Sequence, residues 1–230
     1  MRWISDLIEL FFPRVCCICG TPLVGDEHEL CTSCLLELPH THILHNDNNF
    51  IEKRFLGRLP LQHATALLIF SKKGKTQSIL HQIKYKGNEK LAIDMGRLLG
   101  THIAQSGLFD DVDILIPVPL HRRKERKRGY NQSLLLCKGV AQVFSRTIVS
   151  DNLVRMRHTE SQTHKNRQQR LENMEGVFHV KRPEELEGKH ILLIDDVITT
   201  GATTEACCKP LLSIKGLRIS IASLAVSGDT

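Results

Sequence analysis

The 230-residue sequence predicts an α/β fold, a mostly parallel sheet flanked by helices, with a small cysteine-rich module in front of it. Three observations carry that expectation. From residue 63 onward, short apolar runs alternate with stretches of helical periodicity, the pattern of βαβ units with right-handed crossovers. A Cys-x2-Cys pair occurs twice before residue 35. The string ILLIDDVITTGAT at 191–203 reads as a buried strand, a glycine turn and a helix start. With 41% hydrophobic and 24% charged residues, disordered and fibrous classes are excluded. The length suits one well-buried domain plus an accessory module, divided here into residues 1–60 and 61–230.

Along the chain, Trp3, Ile4, Leu7, Ile8, Leu10 and Phe11 recur at helical spacing and stop at Pro13, predicting an amphipathic helix packed on the body. It has no signal-peptide cleavage pattern, and no apolar run approaches the roughly 18 residues needed to span a bilayer. A soluble protein of the reducing cytoplasm is expected. Residues 40–59 read as polar and irregular, with HNDNN at 45–49 as linker. Strands are predicted at 64–70, 112–118, 191–194 and 219–226, and helices at 76–83, 89–103, 130–144 and 203–214.

The strand at 191–194 delivers Asp195 and Asp196 to the carboxyl edge of the sheet, where open α/β sheets bind ligands. Thr199, Thr200, Gly201, Ala202 and Thr203 then supply backbone N–H groups and hydroxyls that suit a phosphate. Carboxylates beside a phosphate cradle make sense if the ligand also carries vicinal hydroxyls, held directly or through Mg²⁺. A ribose 5′-phosphate has both parts.

Cys16, Cys19, Cys31 and Cys34 form two knuckles 11 residues apart, a soft tetrahedral set that favours structural Zn²⁺. Cys17 and His28 are bystanders in this reading, and Cys137, Cys207 and Cys208 are buried helix residues. The net charge of +6 is concentrated: His121 to Arg128 carries +5, Arg155 to Arg170 carries +4, and the remainder is −3. Such segments suit a polyphosphate, a nucleic acid or both, against the plain alternative of solvated loops. Tyr85 and Tyr130, beside Arg and Lys, are candidate stacking rings for a single strand.

The four apolar residues, two acids and Thr-Gly turn resemble the type I phosphoribosyltransferases over roughly residues 62–230. That resemblance implies binding of phosphoribosyl diphosphate with Mg²⁺. Thr199 stands where purine-salvage members carry a basic-acting carboxylate, which disfavours purine salvage. The four-cysteine module, the KYKG segment and PVPLHRRKERKRGYNQS at 117–133 extend the match to the ComF family. By that resemblance, Pro117, Val118, Pro119, Arg122, Arg123, Arg128 and Asn131 correspond to the diphosphate loop. Arg155, Thr159, Gln162 and Arg167 belong to a flexible loop that closes over the site, and Lys84, Tyr85 and Lys86 to the hood. The family implies a role in DNA uptake during natural competence, with single-stranded DNA as a partner and a DNA-uptake helicase as a further candidate.

Overall fold

The computed structural model describes residues 13–43, 49–156 and 176–228. The expected N-terminal helix, most of HNDNN, and Thr159, Gln162 and Arg167 lie outside the described residues.

The central sheet has five parallel strands in the order β1, β7, β6, β2, β3: β1 Ala64–Phe70, β2 Ile114–Pro117, β3 Thr147–Ile148, β6 His190–Ile198 and β7 Arg218–Ser227. β4 (Leu153–Arg155) and β5 (Phe178–Val180) pair antiparallel as a separate two-stranded sheet. In chain order the helices are α1 Thr32–Leu36, α2 Phe50–Phe55, α3 Lys75–Tyr85, α4 Glu89–Ser106, α5 Arg122–Arg128, α6 Gln132–Phe144 and α7 Ala202–Cys208.

Because side chains alternate across a strand, β6 splits its residues between two cores. Leu192 and Ile194 join the α3, α4 and α6 side, while Ile191 and Leu193 join the side that holds α2 and α7. α3 buries Thr76, Ile79, Leu80 and Ile83, a helical stripe. α4 begins at Asn88, whose side chain accepts from the Leu91 amide, and ends at Gly107 with φ 68°. α4 and α6 approach so closely that a Cβ on Gly139 would lie 2.1 Å from the Ile93 carbonyl oxygen.

Besides the short strands β3, β4 and β5, which the sequence reading omits, the structure departs from the sequence expectations in five places. Residues 50–55 are a helix, not irregular chain: Asn49 and Glu52 form a reciprocal capping box, and Ile51 and Phe55 are buried. The basic run 122–128 is also a helix, capped by the His121 side chain and ended by Gly129 at φ 92°. β6 continues past Ile194 to Ile198, so both acids lie within the strand, Asp195 opposite Ser223 of β7. α7 stops at Cys208, two residues before Pro210, which has no N–H to continue the ladder. The cysteine module is not a separate core, since Cys16, Leu30, Cys31, Cys34 and Leu38 share a buried cluster with Leu68, Ile79 and Ile83.

Candidate functional site

β6 is the middle strand of the sheet, and its second half carries two successive carboxylates under cover. Asp195 and Asp196 are 7% and 4% exposed. Asp195 accepts from the Asp196 amide (2.8 Å) and the Ser133 hydroxyl (3.3 Å) at the start of α6. Burial, reinforced by the neighbouring Asp196, pushes its carboxyl up to about 7, with Lys84 pulling the other way. The Lys84 ammonium, from the end of α3, lies 2.9 Å from Asp196 Oδ2.

Cations converge on the same place from three elements. Burial holds the Lys124 ammonium below its usual range, and the nearby charges of Arg155, Arg128 and Lys84 add to the effect. Arg155 of β4 is pushed the same way by burial and drawn back by Cys207 and Asp195. Its guanidinium lies 5.3 Å from the centroid of Phe178, its partner across the β4–β5 pair. Arg128 lies 5.9 Å from the Tyr85 ring and hydrogen-bonds Gln132. A helix places residues four apart on one face, so Lys124 and Arg128 turn inward together while Arg122, Arg123, Arg126 and Lys127 are exposed.

The structure therefore brings Lys84, Arg128, Arg155, Asp195 and Asp196 together, and adds Lys124, which the sequence reading missed. Arg122 and Arg123 face solvent, as do Tyr85 and Lys86. Pro117, Val118 and Pro119 are buried where β2 ends. Asn131 anchors that end by donating to the Val118 carbonyl (3.1 Å) and caps α6 by accepting from the Ser133 amide (3.0 Å). Tyr130 is not available for stacking, because it is buried and donates to the Ile83 carbonyl.

In the turn after β6, Thr199 is exposed, Thr200 and Thr203 are half-buried, and Gly201 and Ala202 are covered. Gly201 has φ 79°, and a Cβ there would fall 2.6 Å from Phe55 Cε1, so this position requires glycine twice over. α2 and the turn that follows it contribute more than Phe55. Arg54 donates to the carbonyls of Thr199 (2.6 Å) and Ser227 (2.8 Å), and Arg58 pairs with Glu205 of α7 (Nε to Oε2, 3.0 Å). None of these three was expected at the site. The Asn49-x2-Glu52 capping box was the signal that could have revealed the helix, which carries Arg54 and Phe55 and ends three residues before Arg58.

The four cysteines form the second centre. The Sγ atoms of Cys16, Cys19, Cys31 and Cys34 all lie within 4.8 Å of one another, and Cys19 and Cys31 are 3.6 Å apart. Tetrahedral Zn–S bonds of about 2.3 Å separate sulfurs by roughly 3.8 Å, so the cluster is compatible with structural zinc. Hydrogen bonding with the Thr21 side chain and backbone lowers the Cys19 thiol to about 6, favouring the thiolate that a metal needs. Cys17 stands outside the set, its thiol pushed up to about 12 by burial. Cys137, Cys207 and Cys208 are buried free thiols. Lys75 Nζ lies 3.7 Å from Cys34 Sγ and 2.7 Å from Glu37 Oε2.

Residues 131–229 match the phosphoribosyl transferase domain family. The DNA utilization protein YhgH of Salmonella typhi is 31% identical over 137 residues, 58% of this chain and 60% of that protein's length. YhgH of Escherichia coli K12 is 26% identical over 206 residues, covering 86% of this chain and 84% of the relative. The competence protein ComFC of Bacillus subtilis is 34% identical over 113 residues, 49% of this chain and 43% of the relative. Fold and site define a phosphoribosyltransferase-like α/β protein with a four-cysteine centre at its N-terminal end. Its similarity to competence protein ComFC, to competence protein F of Haemophilus influenzae and to the YhgH proteins supports a ComF-family, phosphoribosyltransferase-like protein. Among the described residues, no helix is long and apolar enough to cross a membrane.

Proposed function

We propose that the protein binds phosphoribosyl diphosphate with Mg²⁺ and acts, in the bacterial cytoplasm, in DNA uptake together with single-stranded DNA. One observation carries the ligand reading: two buried carboxylates on the central strand stand beside a glycine turn and face four converging cations, Lys84, Lys124, Arg128 and Arg155. The ribose hydroxyls donate to Asp195 and Asp196, and the N–H groups and hydroxyls of 199–203 donate to the 5′-phosphate. The four cations balance the diphosphate. Hard carboxylate oxygens are the donor set Mg²⁺ prefers, and the ion when bound would neutralise part of the diphosphate charge. For the ligand to use Asp196, Lys84 must exchange its carboxylate partner for a phosphate oxygen.

The DNA-uptake role is supported by the names of relatives, competence protein ComFC and DNA utilization protein YhgH. The exposed face of α5 supports nucleic-acid contact, because four uncovered cations can track a phosphate backbone. In this reading residues 61–230 bind the ligand, and residues 1–60 form a zinc-bearing accessory part that also serves partners such as a DNA-uptake helicase. Arg155 contributes to the site from β4, and Thr159, Gln162 and Arg167 lie outside the described residues.

Calorimetric titration with phosphoribosyl diphosphate, with and without Mg²⁺, tests the ligand. Binding in wild type and its loss in Asp195→Ala/Asp196→Ala is expected, and equal affinity of the two proteins would remove the site. A second reading, an active phosphoribosyltransferase of nucleotide metabolism with no DNA role, is favoured by the complete ribose-phosphate turn. It predicts diphosphate release with a nucleobase or amine acceptor, and no retention of labelled single strands at low salt.

A further inference from the structure

Two arginines, Arg54 of α2 and Arg58 of the turn that follows it, lie outside the strand and turn that carry the ligand groups and grip the backbone of that ligand turn. Arg54 Nη1 donates to the Thr199 carbonyl at 2.6 Å, and the same side chain reaches the hydroxyl (3.1 Å) and carbonyl (2.8 Å) of Ser227 at the end of β7. Arg58 reaches the Thr200 carbonyl at 3.5 Å and is anchored on the Arg54 carbonyl at 2.8 Å. Between them, Phe55 fills the space behind Gly201.

The direction of these bonds matters. In a trans peptide the C=O and the following N–H point in opposite directions, and no cis bond occurs among the described residues. A Thr199 carbonyl drawn to Arg54 therefore aims the Thr200 N–H away from the arginines, and a Thr200 carbonyl drawn to Arg58 does the same for the Gly201 N–H. Arg58 has a second effect. Glu205, two residues beyond the turn, carries a charge that repels any phosphate bound there, and Arg58 pairs with it where the two side chains are 15% and 14% exposed. Such shielded pairing offsets the acid far better than a surface contact does.

We propose that Arg54 and Arg58 are positioning residues for the 5′-phosphate: they fix the amides of the turn toward the anion and cancel the charge of Glu205 beside it. The inference rests on reading residues 195–203 as the ribose-phosphate site. It makes α2 part of that site, although the helix precedes the first strand of the sheet.

The test measures binding of two probes, ribose 5-phosphate and inorganic diphosphate, to the full chain. Arg54→Ala and Arg58→Ala are each expected to weaken ribose 5-phosphate by about tenfold or more, the scale of one lost charge-assisted hydrogen bond. Diphosphate, held by the cations of α3, α5 and β4, is expected to stay within about twofold of wild type, which also reports an intact fold. Arg54→Lys keeps the charge but not the fork, and an intermediate loss is expected. Arg58→Ala/Glu205→Gln should recover most of the affinity lost in Arg58→Ala, a rescue that a purely structural role for Arg58 does not give. Equal weakening of both probes, or unchanged ribose 5-phosphate binding, overturns the inference. Wild-type protein that binds diphosphate but not ribose 5-phosphate overturns the site reading first and this inference with it.

Discussion

His102 sits on the buried side of α4, hydrogen-bonded to the Thr65 hydroxyl of β1 at 2.8 Å. Burial, helped by the charge of His40, lowers its pKa from 6.5 to about 4. Between those values the unfolded chain binds the proton and the folded chain does not, so this group's contribution to stability is full above about pH 6.5 and falls as pH drops toward 4. Asp195 works against it in the same window, because its raised carboxyl keeps a proton in the folded chain that the unfolded chain releases. The raw pH profile therefore mixes opposite slopes. His102→Gln keeps a polar atom near Nε2 without the titration, and we expect the gap between wild type and variant to shift by on the order of 2 kcal/mol from pH 7.5 to 4.5. Urea melts at both pH values check this, and a constant gap would refute it. Gly201→Ala tests packing at the turn: the left-handed backbone and the Phe55 ring should together cost about 2–4 kcal/mol in the same melts. An unchanged midpoint would mean the turn does not rest on Phe55. Asp195, Asp196, Gly201 and the four cysteines were legible in the sequence because each sits in a short string whose spacing is dictated by chemistry. Lys124 was not, since one lysine among six basic residues carries no mark of which way it faces.

Helices with little apolar surface explain most of what the sequence hid. α5 buries no residue, so hydrophobic periodicity had nothing to register, and its caps, His121 and Gly129, are its only signature. α2 is six residues long and was obscured by polar neighbours, although Ile51 and Phe55 are spaced four apart and the capping box precedes them. By contrast, α3, α4, α6 and the strands β1, β2, β6 and β7 are legible because their buried stripes or runs are long enough to read, whereas β3, β4 and β5, two or three residues each, leave no run to register. α5 also makes a testable division of labour. Lys124→Gln should weaken phosphoribosyl diphosphate binding by about tenfold, the loss of one diphosphate contact from the inner face. Arg122→Gln/Arg126→Gln should leave that binding unchanged and instead lower single-strand affinity and the slope of its salt dependence. Calorimetry for the small ligand and fluorescence anisotropy at three salt concentrations separate the two faces. If the outer pair weakens the small ligand as much as Lys124→Gln does, the helix does not divide in this way.

The N-terminal residues reach both faces of the sheet, which decides how the molecule should unfold. Cys16, Leu30, Cys31, Cys34 and Leu38 pack into the cluster on the α3 and α4 side, while Ile43, Ile51, Phe55 and Leu59 pack into the cluster on the α7 side. α3 ties the two centres more directly: Lys75 at its start contacts Cys34 and Glu37, Gln82 donates to the Cys17 carbonyl at 3.1 Å, and Lys84 near its end holds Asp196. Sequence spacing read the cysteines as a module with little core of its own. That reading holds for the segment taken alone, and the missing core is supplied by the sheet domain. A metal bound by four thiolates contributes its binding energy to folding, and here that energy enters a core shared with β1, α3 and α4. Removing it should therefore destabilise the whole molecule rather than melt a separate part. For a chain of this length a loss of about 3 kcal/mol lowers the thermal midpoint by roughly 6–12 °C. Scanning calorimetry of zinc-loaded and chelator-treated protein, with reductant present to keep the thiols free, should show one transition that moves down by that amount. Two resolved transitions, with the larger one unmoved by chelation, would show that the cysteine centre and the sheet fold independently.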